Sequence, residues 1–195
     1  PALLSGWIDR QTKLPLATLP AWKRLNTRLE RSSYSCPWVQ ALASWSVHPV
    51  IFHGDFAPWN LRIDRSSGLW WVLDWERGQS QGPPGWDWAY YLVQVAVLVR
   101  NWSPERILRS LEAWWDSAEG RSYFRQAGAE EIRQPLVAAG LLYHYLEWPP
   151  TERVARWEAL VRTVLAHPAV ATPKAKPCRA LQEPSCCQFS GRGPD

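Results

Sequence analysis

The chain holds 195 residues, 46% hydrophobic and 21% charged, enough length and apolar material for one domain with a buried core. Its net charge of +4 is modest, with Lys174, Lys176, Arg179 and Arg192 near the C-terminal end and no recognised motif, which argues against a nucleic-acid partner. The longest apolar run, Trp88 to Val99, is interrupted by Gln94 and too short to span a bilayer, so no membrane partner is expected.

In chain order, Pro20 to Leu29 predicts a helix, with Trp22, Leu25 and Leu29 at helical spacing, and Pro37 to Trp45 predicts a shorter one. Leu61–Asp64 and Leu69–Leu73 read as two β-type runs joined by Arg65-Ser-Ser-Gly68, a hairpin signal. A turn centred near Ser66 and Ser67 pairs residues whose numbers sum to about 134, because antiparallel partners mirror about the turn. Asn60 and Asp74 meet that sum, so the hairpin is expected to bring the two oxygen-bearing side chains side by side. A core helix is expected to begin near Asp87, since an acidic residue is favoured at a helix N-terminus. Ser103-Pro-Glu-Arg opens another, with Ile107, Leu108, Leu111, Trp114 and Trp115 on its buried face. Glu130 to Glu147 is helical in pattern, Pro135 either kinking it or marking a second start, and Thr151-Glu-Arg opens the last helix, with Val154, Trp157, Val161, Val164 and Leu165 inward. Residues 168–195, punctuated by Pro168, Pro173, Pro177, Pro184 and Pro194, are expected to be a disordered tail.

The chemistry is concentrated in Val50-Ile-Phe-His-Gly-Asp-Phe-Ala-Pro-Trp-Asn60 and Val72-Leu-Asp-Trp-Glu76. Asp55 is a candidate to orient a hydroxyl nucleophile and take its proton. Asn60 and Asp74 are candidate metal ligands, because Mg²⁺ takes oxygen ligands and keeps waters or phosphate oxygens in its other positions. Taken singly, each could be a turn residue hydrogen-bonding its own backbone; the joint pattern points to catalysis. Glu76 is either a further acidic ligand or a solvated strand-end residue. Most of the fifteen tryptophans fall at core spacing, leaving Trp59 and Trp86 as candidates to line a cleft. Cys36, Cys178, Cys186 and Cys187 form no Cys-x-x-Cys pair, and His48, His53, His144 and His167 suggest no metal cluster.

The segment from about Val50 to Leu92 resembles the aminoglycoside phosphotransferase and choline kinase family, relatives of the protein kinases. The resemblance rests on His53-Gly-Asp55, Asn60, Leu73-Asp-Trp-Glu76 and Gly82-Pro-Pro-Gly-Trp-Asp-Trp-Ala89. The Trp-Glu after Asp74, where protein kinases have Phe-Gly, favours the small-molecule branch. What the resemblance implies is an α+β, mainly α fold: the C-terminal lobe of a protein-kinase-like domain, spanning residues 1–167. It also implies Mg²⁺ and ATP as cofactors and a small alcohol, such as an amino sugar or amino alcohol, as acceptor. It makes Asp55 the catalytic base, Asn60 and Asp74 the metal ligands, and His53 and Asp87 residues that brace the loop. The N-terminal lobe is expected to be absent. Before His53 the only glycine is Gly6 and the only lysines are Lys13 and Lys23, so neither a glycine-rich loop nor a strand lysine is present, and the chain alone is expected to turn over ATP poorly. A cytoplasmic location is the default for an ATP user. Three readings stay open: a phosphotransferase lobe, a non-catalytic remnant that binds a partner or ligand, and a metal-dependent hydrolase on an unrelated fold.

Overall fold

The computed structural model describes residues 2–147 and 155–167. In chain order these hold α1 (Ala2–Ser5), β1 (Leu14–Pro15), α2 (Pro20–Glu30), α3 (Pro37–Leu42), β2 (Ser46–Val47), β3 (Val50–Phe52), β4 (Leu61–Ile63), β5 (Trp70–Val72) and β6 (Gln79–Gly82). Five helices follow: α4 (Trp86–Gln94), α5 (Pro104–Trp115), α6 (Ala118–Gln126), α7 (Arg133–Glu147) and α8 (Ala155–Leu165). The fold is mainly helical α+β with small antiparallel sheets, compatible with part of a kinase-like domain. The expected helix start at Thr151, the inward Val154 and the expected tail at 168–195 lie outside the described residues.

α7 is the centre because its sequence leaves no polar stripe: every residue from Pro135 to Leu146 is buried. It packs against α2, α3, α4 and α8, while α5 covers α8. Pro135 marks a start and not a kink. A 3-10 turn at Glu130–Ile132 ends before α7 begins at Arg133, so the proline falls in the first turn, where its missing N–H has no intrahelical partner to lose. α5 and α6 start on side-chain caps, Ser103 accepting from the Arg106 N–H and Ser117 from the Gly120 N–H.

Aromatic stacking fills the core around α7. Trp86 lies 5.8 Å from Trp22 and 5.1 Å from Tyr143, ring centre to ring centre, and its Nε1 donates to the Leu136 carbonyl at 2.8 Å. Gly140 permits that approach, since a Cβ there would sit 2.6 Å from Trp86 Cδ1. Trp86 is 0% exposed, so the expectation that it lines an open cleft is corrected: its indole is a core plug with an internal hydrogen-bond partner.

The strands form three antiparallel pairs, β1 with β2, β3 with β6 and β4 with β5. The pairing of β3 with β6 sets Val50 opposite Gly82 and Phe52 opposite Gln79, with an irregularity between them. It delivers the chain to His53 directly above α4. α4 changes character after Gln94, continuing as a π-helical segment over Val95–Val99. No helix among the described residues is long and apolar enough to cross a membrane.

Candidate active site

The loop after β3 turns sharply because Gly54 has φ +81°. A Cβ on Gly54 would lie 3.0 Å from both Cβ and the carbonyl oxygen of Arg77, so the loop and the segment after β5 meet backbone to backbone. Beneath, Asp87 in the first turn of α4 turns its carboxylate onto the loop. Its Oδ2 accepts from the His53 N–H at 2.7 Å and its Oδ1 from the Gly54 N–H at 3.0 Å. Burial pushes the Asp87 carboxyl up to about 7, with the negative charge of Asp55 adding to the rise, against the two backbone donors that favour the anion.

His53 is fully buried and ties two segments together. The Asp55 N–H donates to its Nδ1 at 3.2 Å, so the ring proton belongs on Nε2, which donates to the Leu73 carbonyl at 2.8 Å. The ring also packs 4.7 Å from Trp75, centre to centre. Asn60 closes the loop from the other end: its Nδ2 donates to the Asp55 carbonyl at 2.9 Å and to Asp55 Oδ2 at 3.1 Å. With the amide nitrogen committed to Asp55, Oδ1 is the atom of Asn60 left for a cation. The Asp55 side chain itself is half-buried.

The hairpin returns one residue short of the expected register. Leu61 faces Val72, Arg62 faces Trp71 and Ile63 faces Trp70, and the Leu73 N–H donates to the Asn60 carbonyl at 2.9 Å. Leu73, not Asp74, therefore stands opposite Asn60. The turn itself falls where expected, Asp64 and Leu69 closing a four-residue loop with both hydroxyls held by the Asp64 carboxylate, and a mirror about the midpoint of Ser66 and Ser67 pairs residues whose numbers sum to 133. Asp74 follows immediately, exposed, with φ +63°. A left-handed aspartate at the end of a strand is uncommon backbone, of the kind found where a side chain must be re-aimed. Asp74 and Asn60 so share one end of the hairpin, and both offer the oxygen donors that Mg²⁺ takes. Among the described residues no three His, Cys, Asp or Glu side chains gather as a metal cluster.

Trp59 and Glu76 are both exposed, Trp59 by 46%. Three residues that the sequence reading did not place at the site lie beside it. Tyr90, one turn after Asp87 on α4, is buried close enough to Asp55 to feel its charge; burial, then Asp55, raise its pKa. That spacing after Asp87 was the available signal. His144 stacks on Tyr90 at 4.0 Å, and burial, then the charges of Arg77 and Arg28, lower its pKa to about 3, so it is neutral. Arg77 had no sequence signal, because its place follows from the contact with Gly54. Under the hairpin lies an apolar cavity of about 290 Å³ bounded by Phe56, Leu61, Trp70, Trp88 and Tyr91.

No curated protein and no solved structure matches the chain. A family model described as the phosphotransferase enzyme family, APH, matches residues 3–125, a span that takes in Asp55, Asn60, Asp74 and Asp87. On that match, over more than half of its length and over every one of these residues, the chain belongs to the APH phosphotransferase enzyme family.

Proposed function

We propose that the protein is built to transfer the terminal phosphoryl group of ATP to the hydroxyl of a small molecule, as the C-terminal lobe of a kinase-like phosphotransferase working in the cytoplasm. The observation that supports this most is the anchoring of Asp55. One carboxylate oxygen receives Asn60 Nδ2, and the loop beneath is held by the Asp87 carboxylate on two backbone N–H groups. A carboxylate so placed orients an acceptor hydroxyl. As the acceptor oxygen bonds to the γ-phosphorus, the bond from that phosphorus to the β–γ bridging oxygen breaks, ADP leaves and the hydroxyl proton passes to Asp55. Charge neutralisation on the phosphate oxygens is what a bound Mg²⁺ supplies, with Asn60 Oδ1 and the Asp74 carboxylate as its protein ligands. The resemblance names amino sugars and amino alcohols as acceptors, and either offers the hydroxyl this chemistry needs.

The test is phosphoryl transfer from γ-labelled ATP with Mg²⁺ to a panel of alcohols, run beside Mg²⁺-dependent ATP binding. Transfer is expected to vanish in Asp55→Asn with binding retained, and binding is expected to fall in Asp74→Ala. Transfer that survives Asp55→Asn removes the base assignment. Because the chain alone is expected to turn over ATP poorly, slow transfer by the wild type does not decide between readings; ATP binding that is unchanged in both Asp55→Asn and Asp74→Ala supports a binding module, and metal-dependent phosphate release from other esters without nucleotide supports a hydrolase.

A further inference from the structure

The apolar cavity under the hairpin plays no part in the chemistry assigned to Asp55, Asn60 and Asp74. It holds about 290 Å³, and Phe56, Leu61, Trp70, Trp88 and Tyr91 wall it together with Leu3 and Leu4 of α1. Native interiors leave few voids larger than a water molecule. Apolar cavities of about 150 Å³, roughly half this size, stay dry and take up benzene. Water gains little here, because it needs several polar partners and the side chains on these walls carry only the Tyr91 hydroxyl and the Trp88 indole N–H. Trp70 is 50% exposed, so the cavity has a mouth at the surface.

No side chain lining the cavity is charged. The charged neighbours in sequence are engaged elsewhere: Asp55 receives Asn60 Nδ2, Asp87 receives two backbone N–H groups of the loop, and Arg62 donates to the Trp59 and Leu61 carbonyls. Asp87 and Glu119 border two pockets of about 10 Å³ each that share Leu4 and Trp88 with the cavity, and neither carboxylate lines the cavity itself. An ion of either sign would therefore give up its hydration without gaining a partner. The walls suit a flat ring. Trp88 and Tyr91 stack with centres 5.3 Å apart and planes at 15°, and Phe56 stands 5.9 Å from Tyr91 at 51°, which makes one continuous aromatic surface.

We propose that this cavity binds a small neutral aromatic molecule, about the size of two fused rings, whose edge carries at most one hydrogen-bonding group. A purine is a poor match, since the polar atoms along its edge would go unpaired among these walls. The site does not depend on the role given to Asp55.

The probes are 2-naphthol, 2-naphthoate and 2-naphthylmethylammonium, one ring system in three charge states, titrated near neutral pH by ligand-observed NMR. The proteins are the wild type, Leu61→Trp to fill the cavity, Tyr91→Ala to remove part of its wall, Trp71→Ala and Asp55→Asn, each checked for folding by circular dichroism. Trp71 is an exposed indole outside the cavity and controls for stacking on the surface. The wild type is expected to bind the naphthol saturably, at least about tenfold tighter than either ion, because a buried unpaired charge forfeits at least that much. Binding should also raise the melting temperature. Leu61→Trp should abolish it, and Tyr91→Ala should weaken it roughly two- to tenfold, the worth of one ring contact. Trp71→Ala and Asp55→Asn should leave it unchanged, and ATP with Mg²⁺ should not displace the naphthol. A wild type that binds no naphthol, or binds either ion as well, overturns the proposal. So does a loss of binding in Trp71→Ala or Asp55→Asn, displacement by ATP, or binding at wild-type strength in both Leu61→Trp and Tyr91→Ala.

Discussion

Replacing Asp87 by Asn tests which of two opposing effects governs the buried carboxyl under the loop. The side chain is 5% exposed and accepts from two backbone N–H groups, at 2.7 and 3.0 Å. Asn keeps the shape but presents one oxygen, so one buried donor is orphaned, at a cost of about 1–3 kcal/mol. Ala orphans both, at roughly twice that cost. The pH dependence carries the sharper information. Burial raises the carboxyl from 3.8 to about 7 in the folded protein. A raised folded pKa means the folded state holds the proton more tightly, so this contribution to stability is fully present below the unfolded pKa and is lost as pH rises through the folded one. At about 1.4 kcal/mol for each pKa unit, the loss between pH 4 and 7 is on the order of 4 kcal/mol. The penalty of Asp87→Asn, read as the difference in urea unfolding free energy from wild type, should therefore be largest near pH 4 and fall by that amount toward pH 7, where the variant becomes at least as stable as wild type, and stay level above it. Taking the difference cancels titrations common to both proteins. Amide exchange at His53 and Gly54 should speed up in both variants. A penalty that grows from pH 4 to 7 would show that the two N–H donors outweigh burial and that the carboxyl titrates low, refuting the reasoning.

His144 should act in the opposite sense. Burial lowers its pKa from 6.5 to about 3, so its contribution is present above pH 6.5 and is lost as pH falls toward 3. His144→Phe, which keeps a ring against Tyr90, should flatten that acid loss in a pH series of thermal melts; an unchanged slope counts against a neutral buried imidazole. Gly85→Ala should cost about 2–5 kcal/mol, from left-handed backbone plus overpacking, since φ is +83° and the new methyl would lie 2.7 Å from Phe124 Cζ; a urea midpoint within error of wild type would rule this out. Trp71→Glu, at a side chain 58% exposed, should lower dye binding and aggregation while shifting stability by no more than about 0.5 kcal/mol. A clear loss of stability would mean that the indole is packed in solution.

The catalytic loop was legible because its information is local. His53, Gly54, Asp55 and Asn60 lie within one turn and its exit, and the hairpin after them is announced by its own turn residues. What escaped the sequence was decided by tertiary contact. The hairpin register differed by one residue although the turn centre was read correctly, because a mirror about the midpoint of Ser66 and Ser67 pairs residues whose numbers sum to 133, which sets Leu73 and not Asp74 against Asn60. Trp86 could be read as cleft or core from its place beside a glycine-proline turn; Gly140, far away in sequence, makes room for it in the core. α6 showed little pattern because Gly120 occupies an inward position where the backbone of Trp114 comes so close that a Cβ would lie 2.1 Å from its carbonyl oxygen. The two-residue strands β1 and β2 are too short to carry a period.

The groups that hold the loop and the groups assigned to chemistry sit on opposite sides of the same backbone. Asp87 and His53 are buried and engage the loop through its N–H groups, whereas Asp55 is half-buried and Asp74 exposed. Asn60 belongs to both sides, its nitrogen spent inward on Asp55 and its oxygen left for a cation. His53 adds a coupling between the loop and the hairpin. Its Nδ1 receives the N–H of Asp55, the proposed base, and its Nε2 donates to the carbonyl of Leu73, directly before the metal candidate Asp74. A shift of the loop relative to the hairpin would break one of these two bonds at the cost of a buried unsatisfied group, about 1–3 kcal/mol. Asp55 and the end of the hairpin are thereby kept in register by a fully buried ring. Substitutions on the outer side should alter binding or transfer and leave stability in place, and substitutions at His53 or Asp87 should alter both together.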